Sequence, residues 1–262
     1  MRQGKTVDAI TADAILTPSA KDLLKSAQPR NAVVTKPATG LSKPVGPISS
    51  TSSQSDLDAF FFTEELEELK VQICDVGRRM WERAYVDGNG GNIAIRVADD
   101  LALCTRTLVS KGFMQHADLC LVDLEGDQKA GKKKRTSEIL MHLEIMKRQP
   151  KAKATAHCHP PHATAFAVAG VEPPTCMIPE IEVFIGKVPI APYRTPGTPE
   201  MGKLVADLVD KHNTVLMGNH GAVSWSHQNV EDAYFKMEIL EAYCRTIWVA
   251  SQLGTPLKTM NP

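Results

Sequence analysis

The sequence predicts an α/β or α+β fold in which helices surround a central mixed or antiparallel β-sheet. From about residue 60 onward, short strand-like apolar segments alternate with longer segments whose apolar positions recur at helical spacing. Three of the strand-like segments follow one another directly, which is typical of an antiparallel meander. With 43% hydrophobic residues among 262, the chain has enough apolar side chains for one sizeable core.

The first helix of the globular part is predicted to begin after Thr63 and to end near Val86. Thr63 is a suitable N-cap, acidic residues fill the first turn, and the apolar positions form one stripe. Residues 87–91, Asp-Gly-Asn-Gly-Gly, then break the helix. A second helix is predicted from residues 136–138 to the residue before Pro150. The other predictions, in chain order, are strands over 92–97, 101–105, 119–122 and 152–157, a helix over 163–169, a strand over 185–191, a helix over 202–212, a strand over 214–217 and a long helix over 229–253.

The first 58 residues differ in composition from the rest. Residues 31–58 are rich in Pro, Ser, Thr and Gly without a sustained hydrophobic period, which predicts a flexible linker. Residues 1–30 form an N-terminal extension in which apolar residues recur at roughly helical spacing. A short amphipathic helix is one interpretation of that extension, and a frayed terminus is the other. The globular domain is therefore predicted over residues 59–262.

Charge and cysteine usage restrict the classes of function. Thirty basic residues balance thirty acidic ones, so net charge favours neither a nucleic-acid nor a membrane partner. The chain has no apolar run long enough to span a bilayer and no basic-then-apolar secretory pattern at its N-terminus, so a cytoplasmic protein is expected. The six cysteines include no Cys-x-x-Cys pair, which favours reduced core thiols over a disulfide framework or a zinc cluster.

His157 and His159 are the most informative pair in the sequence. They stand two apart at the end of a predicted strand, where alternate side chains share a face, so both imidazoles can point the same way. Two such nitrogens can bind one cation, but an exposed strand edge or two hydrogen-bonded core histidines would show the same spacing. Cys158, between them, would face the other way and is expected in the core.

Two further residues would complete a metal site with this pair. His220 follows an apolar strand and lies beside Gly218 and Gly221, where the backbone turns tightly. It comes 61 positions after His159, so it can join the pair only through the fold. A carboxylate at Glu138, 19 positions before His157, would supply the fourth group.

The order of six motifs resembles the class II aldolase/adducin superfamily, and most of all its sugar-phosphate aldolases. This similarity covers essentially residues 62–254 and leaves the N-terminal extension outside it. It implies a three-layer fold, with helices on both sides of the sheet, and a catalytic domain over residues 59–262. The motifs are Gly-Asn-Ile-Ala-Ile-Arg at 91–96, Ser-Lys-Gly at 110–112, Thr-Ser-Glu at 136–138, His-Cys-His at 157–159, Ala-Pro-Tyr with Pro-Gly-Thr at 191–198, and Asn-His-Gly at 219–221.

The resemblance implies a Zn²⁺ ion, or another divalent metal, held by His157, His159 and His220. Glu138 would ligate the resting ion or act as the catalytic base. Three protein ligands with a displaceable fourth position are typical of a catalytic rather than a structural zinc site.

The resemblance also implies a phosphate site and a proton donor. The donor for the aldehyde is commonly supplied by a neighbouring subunit in this family, and the matching segment here lacks the tyrosine of the family pattern. Glu180 is the preferred substitute and Glu182 is the alternative, while pairing of both with surface cations is the other interpretation. Lys111 stands where the phosphate aldolases have a threonine. By the family pattern the phosphate would bind Asn92, Lys111, Gly112, Thr136 and Ser137.

The function implied is cleavage of a deoxy-ketose 1-phosphate, L-fuculose or L-rhamnulose 1-phosphate, into dihydroxyacetone phosphate and lactaldehyde. An epimerase, a dehydratase or a decarboxylase using the same metal site is the alternative, and a non-enzymatic adducin-like interaction domain is a more distant one. The family further implies a homotetramer. The N-terminal extension resembles the peptides that deliver enzymes to bacterial microcompartments, which makes a microcompartment shell a candidate partner.

Overall fold

A computed structural model describes residues 47–260. The predicted extension at residues 1–30 and most of the predicted linker, residues 31–46, lie outside the described residues.

An eight-stranded mixed sheet forms the centre of the described domain. Its strand order is β4-β3-β2-β1-β5-β8-β7-β6. Every neighbouring pair is antiparallel except β6 with β7. The strands are β1 Asn92–Ala98, β2 Leu101–Thr105, β3 Leu119–Asp123, β4 Gln128–Ala130, β5 Ala154–Cys158, β6 Ile190–Ala191, β7 Thr214–Met217 and β8 Gly221–Ser226.

Helices cover both faces of this sheet, so the predicted three-layer fold is confirmed. Alternate strand residues belong to different cores: Leu101 and Leu103 of β2 pack on one side, while Ala102 and Cys104 pack on the other. The helices Ile139–Arg148 and Pro199–Ala206 cover the side of Ala102 and Cys104, and the other helices cover the side of Leu101 and Leu103. The helices are α1 Gln54–Phe61, α2 Glu64–Glu82, α3 Ile139–Arg148, α4 Pro161–Ala169, α5 Pro179–Phe184, α6 Pro199–Ala206 and α7 Val230–Ser251.

The predicted start of the domain at residue 59 is too late. Helix α1 begins at Gln54 and is capped by the side chain of Ser53. Leu57, Phe60 and Phe61 of this helix are buried in the core. The Ser-rich composition of the preceding residues is therefore that of a helix cap and turn, and residues 54–58 belong to the folded domain.

The predicted strand over 185–191 is wrong for most of its length. Residues 179–184 form α5, Ile185 closes that helix, and only residues 190–191 pair with β7. Gly186, at a φ of +74°, turns the chain between the two elements. The sequence does not predict the short edge strand β4. Helix α6 begins three residues earlier than predicted, because Pro199 at the first helical position already starts that helix.

Two predictions for single residues are confirmed. Thr63 caps α2, with its hydroxyl accepting from the Leu66 amide. Cys158 is fully buried in the core on the face opposite the histidines, as predicted. The six cysteines are unpaired, but Cys176 is exposed and so does not lie in the predicted core. Within residues 47–260 no helix combines the length and the apolar character that crossing a bilayer requires.

Candidate metal centre

The end of β5 presents two imidazoles to the same side of the sheet. His157 is the last but one residue of the strand and is fully buried, and His159 follows the strand directly. The Nδ1 atom of His157 donates a hydrogen bond to the Ala222 carbonyl oxygen at 2.8 Å. Because that nitrogen carries the proton, Nε2 keeps a free lone pair. This Nε2 lies 3.1 Å from Nε2 of His159.

The turn between β7 and β8 brings a third imidazole to the pair. Asn219 adopts a φ of +56°, a conformation that asparagine tolerates better than most residues, and His220 follows it. The His220 ring centroid lies 4.7 Å from that of His157 and 5.1 Å from that of His159. Its Nδ1 atom is buried without a hydrogen-bond partner among residues 47–260.

Glu138 faces the rings of His157 and His220 from the start of α3, where it is the N-cap residue. Its Oε2 atom lies 3.4 Å from Nε2 of His157, and its Oε1 atom lies 3.3 Å from Nε2 of His220. The amide of Asn92 donates a hydrogen bond to Oε2 at 2.6 Å. Asn92 is opposite His157 in the β1–β5 ladder, which places it beside the centre.

The surroundings favour the protonation states that a cation needs. Burial, together with the charges of neighbouring imidazoles, lowers the pKa of both His159 and His220 to about 4. Burial alone would raise the pKa of Glu138, but attraction to His157 and His220 when these are protonated, together with the hydrogen bond from the Asn92 amide, holds it well below its ordinary value. Neutral imidazoles and an ionised carboxylate are the forms that bind metal.

The donor set fits a divalent cation. The ligand nitrogens of His157, His159 and His220 all lie within 4.8 Å of one another. Two imidazole nitrogens as close as those of His157 and His159 need a proton or a cation between them, since their lone pairs repel each other. Three imidazoles beside a carboxylate suit Zn²⁺ and also other divalent transition ions.

A cleft of about 230 Å³ opens beside these side chains. Lys111 lies at its wall with its Nζ donating to the carbonyl oxygens of Asn89 and Val109, which leaves one N–H for a ligand. Burial lowers the pKa of Lys111 to about 8 although the charge of Glu138 opposes the shift. The lining residues are Asn89, Gly90, Gly91, Asn92, Arg106, Thr107, Lys111, Thr136, Ser137, Glu138, His159, Pro196 and His220.

Comparison with known proteins identifies the family. The model described as "Class II Aldolase and Adducin N-terminal domain" matches residues 71–248. An L-fuculose phosphate aldolase of Methanococcus maripaludis is 32% identical over 184 residues, which cover 70% of this chain and 96% of that protein. A 3-oxo-tetronate 4-phosphate decarboxylase of Cupriavidus necator is 31% identical over 186 residues, which cover 70% and 84%. The solved structure of YgbL from Klebsiella pneumoniae, for which aldolase, epimerase and decarboxylase are named as candidate activities, has a TM-score of 0.68 at 26% identity and covers 74% of this chain and 94% of its own.

The chain belongs to the class II aldolase and adducin family. It is an enzyme of the class II aldolase type, a carbon–carbon lyase. The resemblance that its motifs predict is thus confirmed.

The structure brings most of the predicted phosphate residues of this class II aldolase together. Asn92, Lys111, Thr136 and Ser137 line the cleft. Gly112 is not among the described residues that line it; this glycine packs under Trp81, where an added Cβ would lie 2.6 Å from the indole. The Asn92 amide is engaged at both ends, with Glu138 and with His142, so only its second N–H remains for a ligand.

Glu180 does not reach the centre of its own chain. It lies on α5 with an exposed side chain and is not one of the described residues that line the cleft. The neighbouring Glu182 accepts a hydrogen bond from the Cys176 amide.

Two residues at the site are not predicted from the sequence. Arg106 lines the cleft near Lys111, with Nε donating to the Thr107 carbonyl oxygen and Nη1 paired with Asp118 at 3.1 Å. His142 lies behind Asn92 and is fully buried. Its position four residues after Glu138 on α3 is the signal that could have revealed it, since such residues share a helix face.

Proposed function

We propose that this enzyme is a Zn²⁺-dependent aldolase that cleaves L-fuculose or L-rhamnulose 1-phosphate into dihydroxyacetone phosphate and lactaldehyde. The observation that carries the proposal is the convergence of three imidazoles on one point beside an ionised carboxylate, in a cleft that also holds a buried lysine. The similarity to a protein named L-fuculose phosphate aldolase supports this substrate class.

His157, His159 and His220 would hold the metal. When bound, a divalent cation supplies Lewis-acid stabilisation of the negative charge that develops on the substrate. The hydrogen bond from His157 to Ala222 keeps Nε2 of this residue unprotonated and oriented toward the centre.

Glu138 would move the proton. In the condensation direction it removes a proton from the hydroxymethyl carbon of dihydroxyacetone phosphate. In the cleavage direction it first takes up a proton from solvent and then gives it to that carbon. Its Oε2 atom is tied to Asn92, so Oε1 is the oxygen left for the transfer.

Lys111, Thr136 and Ser137 would hold the phosphate, with Asn92 at its edge. Ser137 is exposed at the cleft and lies just before α3, where free backbone amides favour an anion. The protein has no net charge, so these local donors are what would attract a phosphate dianion.

The proton donor for the aldehyde is assigned to Glu180 of a neighbouring subunit. The exposed position of Glu180 away from the cleft of its own chain favours a role across a subunit contact. This assignment requires an oligomer, and we propose the homotetramer that the family implies. Glu180→Gln should lower kcat while leaving metal content unchanged, and an unaltered kcat in a tetrameric protein would contradict it.

A decarboxylase acting on a phosphorylated oxo acid is the second candidate. Arg106 also lines the cleft. Two of its N–H groups are bonded to Thr107 and Asp118, and the others would bind a carboxylate beside the phosphate. The similarity to a 3-oxo-tetronate 4-phosphate decarboxylase supports this candidate. An epimerase or a dehydratase would keep the same metal site and differ only in the product.

Product analysis on a substrate panel tests the proposal. Purified protein loaded with Zn²⁺ is incubated with L-fuculose 1-phosphate, L-rhamnulose 1-phosphate, L-ribulose 5-phosphate and a 3-oxo-tetronate 4-phosphate. Release of dihydroxyacetone phosphate from either of the first two supports the aldolase. If the only product is CO₂ from the 3-oxo-tetronate 4-phosphate, the aldolase proposal is wrong and the enzyme is a decarboxylase.

A cytoplasmic location inside a bacterial microcompartment is proposed for the full chain, with the N-terminal extension, residues 1–30, as the part that contacts the shell. The candidate site lies entirely within residues 89–220. Deletion of residues 1–46 should therefore leave kcat unchanged and abolish shell association. Undiminished shell association of the deletion variant would rule the shell contact out.

A further inference from the structure

A buried histidine lies behind the candidate centre and has no part in the proposed chemistry. His142 is fully buried on the inner side of α3. Both ring nitrogens have side-chain partners: Nδ1 lies 2.7 Å from the Thr155 hydroxyl, and Nε2 lies 2.5 Å from Oδ1 of Asn92. Asn92 and Thr155 are themselves buried.

The donor and the acceptor of each hydrogen bond in this network can be assigned by starting from Glu138, the group at one end of it. Ionised Glu138 can only accept, so the Asn92 atom that faces it is the amide nitrogen. The other end of the amide, Oδ1, can only accept as well, so Nε2 of His142 must donate to it. A neutral imidazole then has an acceptor at Nδ1, so the single Thr155 hydroxyl hydrogen goes to this nitrogen at 2.7 Å and not to the Ala94 carbonyl oxygen, which lies 3.4 Å away.

The imidazole is neutral, as this network requires. Burial and the charge of His157 lower the pKa of His142 to about 3. The four side chains therefore form a directed chain of hydrogen bonds from Thr155 through His142 and Asn92 to Glu138. In such a chain each bond polarises the next, and a buried member without its partner is costly.

We propose that His142 is a positioning residue that sets the orientation of Glu138 through the Asn92 amide. It holds Oδ1 of Asn92, so that the amide nitrogen stays on Oε2 of Glu138 and leaves Oε1 directed at the centre. This inference rests on the proposed function in so far as Glu138 is the base. The hydrogen-bond network itself does not depend on which reaction the site performs.

Two substitutions of His142 separate positioning from packing. His142→Leu fills a similar volume but donates nothing, so the Asn92 amide is free to rotate; kcat should fall roughly 10- to 100-fold, the usual cost of losing such a supporting partner, with KM unchanged. His142→Gln places an amide N–H near the position of Nε2 and should restore most of kcat. Both variants should keep the metal content of the wild type.

Ser224→Ala is the matched control. Ser224 is a buried hydroxyl on the adjacent strand β8 that donates to the Ala233 carbonyl oxygen and lies away from the cleft. Its loss should lower Tm without changing kcat. The positioning role is overturned if His142→Leu lowers Tm as the control does and leaves kcat per folded molecule intact. It is also overturned if His142→Gln folds but does not restore kcat.

The tautomer of His142 gives a readout that is independent of activity. In ¹⁵N-histidine-labelled full-length protein, with the His142→Gln variant used to assign the signal, His142 should appear as the neutral form protonated at Nε2 only. Protonation at Nδ1, or exchange between the two forms, would overturn the proposal. Failure of the proposed function can be distinguished from failure of the positioning role. In the first case wild-type protein would release no dihydroxyacetone phosphate, while His142 would still be protonated at Nε2 only.

Discussion

At the scale of single residues, Glu138 is the side chain on which the proposed chemistry depends. Glu138→Gln keeps the size of the side chain and removes its ability to take a proton. We expect kcat to fall by about 10² to 10⁴, the usual contribution of a positioned base. The three imidazoles are unchanged, so metal should remain bound. Steady-state kcat and metal content, measured on the same preparation, check both statements.

Glu144→Gln provides the control for that substitution. Glu144 lies on the same helix, pairs with Lys147 at the surface, and is not among the described residues that line the cleft. This variant should have the kcat of the wild type. A Glu138→Gln enzyme with full metal content and wild-type kcat would remove Glu138 from the mechanism.

The pKa of Lys111 predicts how kcat/KM depends on pH. Burial holds its pKa at about 8 in the free enzyme, so the ammonium is charged below that pH and neutral above it. Only the charged form attracts a phosphate dianion, so kcat/KM should fall as the pH rises through about 8. In Lys111→Arg, where the guanidinium stays charged, this decline should disappear. A wild-type profile that stays flat through this range would contradict the assignment.

At the scale of elements, the contact between the start of β8 and the end of β5 positions the histidines. An added Cβ at Gly221 would lie 2.6 Å from the Cys158 carbonyl oxygen and 2.6 Å from the ring of His159. Gly221→Ala should therefore lower stability by about 1 to 3 kcal/mol through overpacking and also weaken metal binding, because the His159 ring is displaced. Thermal unfolding and metal titration measure the two effects.

Gly186→Ala is the control for the glycine substitution. Gly186 has a φ of +74° and no atom within 4 Å of an added Cβ, so alanine there strains only the backbone. Stability should fall while metal affinity stays unchanged. Wild-type metal affinity in Gly221→Ala would show that this strand contact does not position the site.

The sequence predicts elements best where periodicity and caps agree. Thr63 and the apolar stripe that follows it predict α2 because both signals are local. The segment around Ile185 fails because its apolar residues suit a strand, whereas Pro179 and Gly186 limit them to one short helix and a turn. The sequence does not predict helix α1, because this short helix follows a Ser-rich turn that has the composition of a linker and has only one buried face, with Leu57.

At the scale of the whole molecule, the sequence predicts the paired histidines but not the network behind them. His157 and His159 are two apart, so strand geometry alone places them together. The link from His142 through Asn92 to Glu138 joins α3 to β1, and Arg106 comes to the cleft from the end of β2. Contacts of this kind depend on strand order and register, which local patterns do not contain.

The domain boundary gives a prediction at this scale. Deletion of residues 1–61 removes three buried side chains, Leu57, Phe60 and Phe61, each worth roughly 1.5 to 3 kcal/mol of burial. That variant should unfold at a clearly lower temperature than one lacking residues 1–46. Equal Tm values for the two deletions would show that α1 does not contribute to the core.

The central claim is that His157, His159 and His220 hold a cation beside Glu138, which acts as the base. The most direct test is hydrogen exchange into dihydroxyacetone phosphate in D₂O without any aldehyde, followed by mass spectrometry. Metal-loaded wild-type enzyme should incorporate deuterium at the hydroxymethyl carbon. Chelator-treated enzyme and metal-loaded Glu138→Gln should not, and added Zn²⁺ should restore exchange to the former only. Exchange that persists without metal or in Glu138→Gln, or its absence from fully loaded wild-type enzyme, would contradict the claim.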